Sequence, residues 1–487
     1  MRPILAGIET EYGFSVDGRT VEDLVDDAKA LVGYLPGGRL ARWDYRHESP
    51  RADLRGFFAE RLRVDPVDAQ FDRGRTLSGQ DVRNDQVDSH GARFYNDHGH
   101  PEYATPESFS MVELAELDRQ GSEITRAAAE AYGDAIQRRV SVYKNNTDFH
   151  GASYGTHESY LVPRRIPFER LVKSVMPVLI ARSVLCGSGK VGSEGGHGPC
   201  DFQITQRADF FTETLGVDTL YRRPVFNTRD EPHAPDAWRR MHVICGDANM
   251  HPTATARKVG LVKLVLWLLD LDEAPQWELL DPPRTFRQLS RDTSRNFRMD
   301  LAGRNWTDAY SVLEALFAAA ERWLPLNAKT RDAGEAKWTI DTSRHLLSLI
   351  RAGDDQAGRG VDWVAKRRLL DLYREALGVK EGDPALQAVD LAYHDLDPET
   401  GLFSALDDVH SLPFLAEPVS PSRATARQIA LQKFAPSIRA LSWGSILFDL
   451  NGEVTELDLD PVKVYDMEAL RRAEDPATYI RIVRETS

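Results

Sequence analysis

His90-Gly91-Ala92-Arg93-Phe94-Tyr95-Asn96-Asp97-His98-Gly99-His100-Pro101-Glu102-Tyr103 gathers a carboxylate pair, imidazoles, a phenol and a guanidinium into one short window, the composition of a reaction centre. If residues 92 to 97 are extended, the two-residue period of a strand places Arg93, Tyr95 and Asp97 on one face and Ala92 with Phe94 on the other. One face can then pack while the other carries chemistry. Pro101 has no amide proton for a central ladder, so the chain is expected to turn there and bring Glu102 back toward Asp97.

Working outward, Pro3-Ile4-Leu5-Ala6-Gly7-Ile8-Glu9-Thr10-Glu11-Tyr12-Gly13 alternates in the same way, with Ile4, Ala6 and Ile8 on one face and Gly7, Glu9 and Glu11 on the other. Two carboxylates on a core-like strand are costly unless a cation or a hydrogen-bond network offsets them. Two readings stand: a strand edge with solvated glutamates, or a hard-cation site. Oxygen ligands with an occasional imidazole suit Mg²⁺, which in enzymes usually accompanies substrate phosphates.

Composition narrows the class. At 487 residues and 42% hydrophobic content, with no apolar run long enough to span a bilayer and no secretory signal at its start, the chain reads as a cytoplasmic enzyme with no membrane role. Cys186, Cys200 and Cys245 form no CxxC pair, so neither a disulfide framework nor a zinc knuckle is expected. A net charge of −14 argues against nucleic acid as a partner, because phosphate backbones need a basic surface. Arg222, Arg223, Arg229, Arg239 and Arg240 nevertheless crowd into residues 221 to 240, either as a solvated face or as a groove for phosphate or an acidic tail.

Periodicity predicts a long helix from Ser110 to Arg139, further helices over Phe168 to Leu185 and Ala256 to Leu271, and strands over Val140 to Asn145 and Arg240 to Ile244. Residues 308 to 377 read as helical, and a turn-rich passage with Pro413, Pro418 and Pro421 is the expected linker to a small C-terminal domain. Gly187-Ser188-Gly189-Lys190-Val191-Gly192 has dinucleotide-like glycine spacing but follows a helix and opens no βαβ unit, and Val191 breaks the Walker pattern. His157-Glu158 lacks the second histidine of a zincin, since Leu161 stands there. For His98 and His100, a turn-stabilising role is favoured over zinc for at least one of them.

The two opening segments are joined by a third, Tyr143-Lys144-Asn145-Asn146-Thr147-Asp148 running on to Gly151-Ala152-Ser153-Tyr154-Gly155-Thr156-His157-Glu158-Ser159-Tyr160. With Gln206-Arg207-Ala208-Asp209-Phe210-Phe211, Asn227-Thr228-Arg229-Asp230-Glu231-Pro232-His233, Met241-His242-Val243-Ile244-Cys245-Gly246-Asp247-Ala248-Asn249 and Trp443, they resemble the depupylase and Pup-ligase family, which handles the prokaryotic ubiquitin-like protein Pup. The resemblance implies an α+β fold like that of glutamine synthetase and other carboxylate-amine ligases, with a mainly antiparallel curved sheet backed by helices. It implies a catalytic domain over 1–420, a small C-terminal domain over 421–487, and a depupylase-type insertion at about 40–85.

Carried over position by position, the resemblance makes Asp97 the essential aspartate and Glu9, Tyr95 and Glu102 the Mg²⁺ positions, with His157 and His242 as further metal or phosphate contacts. Arg93, Thr105, Ser159 and Trp443 match nucleotide-binding positions, while Arg207 and Arg229 match residues facing phosphate and the incoming terminal glutamate. ATP, or ADP plus phosphate, is the implied cofactor, and a Pup-like modifier and pupylated proteins are the implied partners.

Which activity is present turns on the 88 positions separating Glu9 from Asp97, an interval much shorter in the ligases. The surplus contains Ala41 to Phe57, which looks like the mobile insertion of the depupylase branch, and long loops without secondary structure are commonly functional. Asn96, Gly99 and Met250-His251-Pro252 depart from the family pattern. The implied reaction is hydrolysis of the isopeptide bond between a Pup-like C-terminal glutamate and a target lysine, or deamidation of a C-terminal glutamine. Asp97 would be base or direct nucleophile. The alternatives are a Pup ligase working through a γ-glutamyl phosphate, a small-molecule carboxylate-amine ligase and a noncatalytic Pup-binding paralogue.

Overall fold

A computed structural model of the chain describes residues 3–20, 23–62, 83–149, 151–327, 330–406, 409–414 and 419–485. Its central feature is a six-stranded sheet built from β1 (Ala6–Glu11), β2 (Gln86–Val87), β3 (Arg93–Asp97), β4 (His100–Ala104), β5 (Thr156–Pro163) and β6 (Trp238–Gly246). The strand order is β6-β5-β1-β4-β3-β2, and every neighbouring pair is antiparallel. The register sets Glu9 opposite both Ala104 and His157, Glu102 opposite both Glu11 and Tyr95, and His242 opposite Ser159. Strand alternation therefore collects the carboxylates, imidazoles and Arg93 on one face of the sheet.

The turn expected at Pro101 lies one step earlier. His98 and Gly99, both with positive φ, close a tight hairpin, and Asn96 Oδ1 accepts from the Gly99 amide at 3.0 Å. Pro101 lies inside β4 between two paired strands. Its carbonyl accepts from Tyr12 N at 2.9 Å, and the missing return bond to the Tyr12 carbonyl is replaced by the His100 imidazole, whose Nδ1 stands 3.2 Å from that oxygen. A carbonyl only accepts, so Nδ1 carries the proton. His100 also stacks on Tyr154, with ring centroids 4.1 Å apart.

The other face of the sheet is the packed one: Ile8, Phe94, Tyr103, Tyr160, Met241 and Val243 are buried. Helix α1 (Met111–Ile136) begins where the Ser110 hydroxyl accepts from Glu113 N and ends at Gln137, whose φ is +53°. It lies directly on the Tyr103 ring at Gly121, where any Cβ would strike that ring. Helix α2 (Phe168–Ala181) is followed by a separate turn, Ser183–Cys186, and not by the continuous helix to Leu185 that periodicity predicts. At the junction Arg182 points inward to bind Glu158 at 2.6 Å and the Lys258 carbonyl at 2.9 Å. Helix α3 (Pro252–Asp270) is buried on all sides and starts at a proline, a residue suited to the first helical position. Some polar groups on this face pair with one another: Thr10 and Lys144 both bond Asp118 at 2.7 Å.

A separate apolar cluster built around Ile429, Phe434, Leu441, Ile446, Phe448 and Tyr479 underlies a second, four-stranded sheet. Three of its strands come from the C-terminal region (Ile438–Leu441, Ser445–Leu450, Glu453–Asp458), and the fourth is Arg42–Trp43, parallel to Ile438–Leu441. The segment expected to be a loop without secondary structure is thus tied down at both ends. Trp43 packs into the C-terminal cluster and Leu54 into the main core. Residues 63–82 of the insertion, and Pro418 of the linker, lie outside the described residues.

Candidate active site

On the open face of the sheet Glu9 stands at the centre. Its Oε2 lies 3.8 Å from His157 Nδ1 and 3.9 Å from His242 Nε2, and its Oε1 lies 3.3 Å from Arg240 Nη2. Burial alone would raise the Glu9 pKa, yet the Arg240 guanidinium and His157 bring it down to about 2. His242 is only 3% exposed and neither ring nitrogen has a hydrogen-bond partner. Burial, with Arg240 and His157 beside it, keeps that ring neutral. An unpartnered neutral imidazole aimed at a carboxylate is the state in which histidine binds a metal.

Next to this group lies a second one, made of Glu11, Asp97 and Glu102. In each group the ligand atoms lie within 4.8 Å of one another. Tyr95 Oη donates to Glu102 Oε1 at 2.6 Å, while Glu11 accepts from Gly155 N. Burial, then the charges of Asp97, Glu11 and Glu9, holds the Glu102 carboxyl well above the usual carboxylate range. Asp97 is the opposite case: burial pushes it up, but His98, Arg83 and Arg93 outweigh that and keep it anionic. Three carboxylates forced together are stabilised by a divalent cation, and an all-oxygen set fits a hard one. The set expected as one group is therefore divided, with Glu9, His157 and His242 on one side and Glu102, bonded to Tyr95, on the other.

Beyond Glu9 a cavity opens over the sheet, lined by Gly7, Glu9, Thr105, Ser159, Arg240 and Trp443 among others. A Cβ on Gly7 would meet no atom within 4 Å, so the glycine leaves the floor bare. Three of the four expected nucleotide positions meet here. Thr105 Oγ1 accepts from Ile8 N at 3.1 Å, Ser159 Oγ accepts from Arg240 Nε at 3.0 Å, and Trp443 meets Trp43 edge-on at 4.8 Å. The fourth, Arg93, lies in a cage. Its guanidinium sits 4.0 Å from the Tyr95 ring and 4.5 Å from Trp43, with Asp85 at 2.6 Å and Glu48 at 3.4 Å.

Arg207 is buried at the opposite end, donating to the Ile244 carbonyl at 2.6 Å and standing over Gly155 beside His157. Arg229 has a buried, unpartnered Nε and lies in the field of Glu231, Asp97 and Glu9. The five arginines do not make one groove. Arg229 and Arg240 serve this face, Arg239 projects from the other and donates to the Arg164 carbonyl at 2.7 Å, Arg223 holds the Ser153 carbonyl at 2.6 Å, and Arg222 is exposed. Lys190 of the glycine-rich decoy is fully buried against Glu194 and Asp209 at 3.0 and 3.4 Å, with no freedom to meet phosphate. Arg83 and Asp85 are site residues that the sequence reading did not single out, while Glu11 and Arg240 entered it only as half of a carboxylate pair and as part of a basic run. The two-residue spacing of Glu9 and Glu11 carried the signal for Glu11, whereas nothing local marks Arg83, whose Nη2 lies 3.7 Å from Asp97.

Residues 4–447 match the family described as Pup-ligase protein. The chain belongs to the Pup-ligase family. Members of that family with similar sequences include a depupylase of Acidothermus cellulolyticus, 37% identical over 92% of this chain and 91% of its own length. A Pup deamidase/depupylase of Mycobacterium tuberculosis is 33% identical over 92% of each chain. A Pup--protein ligase of Corynebacterium aurimucosum is 38% identical, but over 65% of this chain and 69% of its own length. Among solved structures of the family, the ligase PafA in complex with Pup superimposes with a TM-score of 0.76 at 27% identity, covering 99% of this chain and 92% of PafA. PafA in complex with ADP gives a TM-score of 0.71 at 28% identity, covering 88% of this chain and 95% of PafA.

Proposed function

We propose that this Pup-ligase family member is an ATP- and Mg²⁺-dependent depupylase and Pup deamidase, with a Pup-like modifier and pupylated proteins as its substrates. The observation that carries hydrolysis over ligation is the reach of the sequence match: the depupylase aligns along nearly all of both chains, 92% and 91%, whereas the alignment with the Corynebacterium aurimucosum ligase stops at 65% and 69%. Glu9, His157 and His242, with Glu11 and Glu102 beside them, would hold Mg²⁺, and Gly7, Thr105, Ser159 and Trp443 would cradle ATP or ADP. When bound, these groups supply positive charge and phosphate oxygens next to the reacting carbonyl.

The chain's own residues do the rest. Asp97 is anionic and stands at the mouth of the hairpin, placed to attack the γ-carbonyl itself or to take a proton from the attacking water. Arg229 and Arg207 flank the carboxylates and would hold the substrate carboxylate and the oxyanion. In the balanced reaction the acyl C–N bond breaks, the carbon gains the oxygen of water, and the lysine or ammonia leaves with a proton. The three unpaired cysteines are compatible with a reducing compartment, and we place the enzyme in the cytoplasm. Among the described residues no helix is long and apolar enough to cross a membrane.

The test is the ratio of phosphate released to isopeptides cleaved from a pupylated protein. Hydrolysis needs no acyl phosphate, so one nucleotide should support many cleavages, and a poorly hydrolysable analogue should work as well. A ratio near about one, with tag attachment in place of removal, is the result of the acyl-phosphate route and would identify a ligase.

A further inference from the structure

Hydrolysis of an isopeptide needs a proton on the departing nitrogen, because an amine leaves the γ-carbon readily and an amide anion does not. Asp97 is held anionic and has no proton to give at the outset. The other proton-bearing groups around it are engaged. Tyr95 Oη donates to Glu102 at 2.6 Å, His100 Nδ1 donates to the Tyr12 carbonyl, and His157 and His242 face Glu9. Arg83 stands 3.7 Å from Asp97, but a guanidinium does not release its protons.

His98 is left. Of the two hairpin histidines, His100 takes the turn-stabilising role, whereas His98 directs Nε2 at the Asp97 carboxylate, 4.0 Å from Oδ1, and has no hydrogen-bond partner among the described residues. It sits at the tip of the β3–β4 hairpin with φ +49°, in a turn that Asn96 closes through the Gly99 amide. Its side chain is 44% exposed against 22% for Asp97, so the imidazole lies on the solvent side of the attacking group. An amine still attached to a folded protein must depart on that side. The distances agree. A carbon attacked by Asp97 Oδ1 stands about 3–3.5 Å from it, and its nitrogen is one bond of about 1.3 Å further, so a ring nitrogen 4.0 Å from the same oxygen can hydrogen-bond that nitrogen.

We infer that His98 is the general acid of the cleavage, giving its Nε2 proton to the lysine nitrogen as the acyl C–N bond breaks and the bonding pair passes to nitrogen. The water consumed leaves its hydroxyl on the γ-carbon and its proton on His98, so the ring is restored after each turnover. Histidine is the side chain suited to this exchange near neutral pH. Deamidation passes through the same step with ammonia as the leaving group. The inference rests on the hydrolytic reading given above and assigns the half of that reaction that Asp97 does not perform.

Comparing two leaving groups tests it. The full chain, with ATP and Mg²⁺, is given Pup joined through its C-terminal glutamate to a protein lysine, and Pup carrying an alkyl thioester at the same γ-carboxyl. A thiolate leaves as an anion and needs no acid. In His98→Asn, which tolerates the left-handed backbone and carries no exchangeable acid, kcat on the isopeptide should fall by about 10²-fold or more while thioester hydrolysis stays within about threefold. His98→Gly, unstrained at φ +49°, should behave alike and carries the test if the asparagine variant does not fold. An unchanged ratio of the two rates, whether both fall together or neither does, would overturn the role of His98. Absence of isopeptide cleavage in the wild type would overturn the hydrolytic reading itself, and this inference with it.

Discussion

On the function proposed above, two residues on the open face would separate chemistry from binding. Asp97 is the anionic carboxylate whose neighbours are cationic, so Asp97→Asn removes the nucleophilic or basic oxygen while keeping size and hydrogen-bonding shape. Nucleotide binding should persist and isopeptide cleavage should fall by roughly 10²- to 10⁴-fold, the usual worth of a general base. Near-wild-type cleavage by a folded Asp97→Asn protein would remove Asp97 from the mechanism. Glu9→Gln acts differently. It takes the one anion shared by His157, His242 and Arg240 and makes it neutral, so Mg²⁺-dependent nucleotide affinity should drop while metal-free affinity changes little. A nucleotide titration repeated with and without Mg²⁺ reads this directly, and an unchanged Mg²⁺ dependence would contradict it.

At the scale of elements, β4 is held in the middle of the sheet despite Pro101 because the His100 ring supplies the donor that proline lacks. His100→Phe keeps a ring to stack on Tyr154 but leaves the Tyr12 carbonyl without its partner, and should cost about 1–3 kcal/mol. Urea unfolding checks it, and an unchanged midpoint would mean that water satisfies the carbonyl. Residues 41–57 are the second case. Trp43 supplies an edge strand and a ring beside Trp443, while Leu54 fills the main core, so deleting the segment should lower the melting temperature and weaken nucleotide binding together. A deletion that changed turnover alone would instead fit a loop that only gates the site.

Across the whole molecule, the helix Arg423–Phe434 is tied to the end of β4 through the Glu107 carboxylate. Glu107 accepts from Arg423 at 2.6 Å and from Arg427 at 2.6 and 3.2 Å, and is 11% exposed. Burial raises its pKa, but the two guanidiniums overcome that and set it at about 2, below its ordinary 4.5. A depressed carboxylate stabilises the fold above the unfolded value and loses that contribution as pH falls toward the folded one. The contribution is on the order of 3 kcal/mol, present at neutral pH and lost between about pH 4.5 and 2. Glu107→Gln strands two buried guanidiniums and should lower stability at pH 7 while flattening the acid limb. Parallel acid limbs in variant and wild type would mean that another carboxylate governs acid unfolding.

Much of this architecture is legible in local pattern because strand and helix periods are properties of neighbouring residues. The alternation of Glu9 with Glu11, and of Arg93, Tyr95 and Asp97, assigns the working face of two strands, and the spacing from Ser110 onward marks α1 to within a few residues of its ends. The family strings extend this to His157, Ser159, His242 and Trp443. What no local pattern contains is which strand lies beside which. Long-range register places Glu102 with Glu11 and Asp97, apart from Glu9 and the two histidines. The same holds for partners far along the chain: His100 standing in for the Pro101 amide, Arg83 reaching Asp97, and Trp43 joining the C-terminal sheet. The sequence by itself determined the faces and the chemical inventory, since those follow from backbone periodicity and side-chain type. Only the tertiary structure decided the grouping into two ligand sets and a cavity, because burial and pairing between distant segments set which charges must satisfy one another.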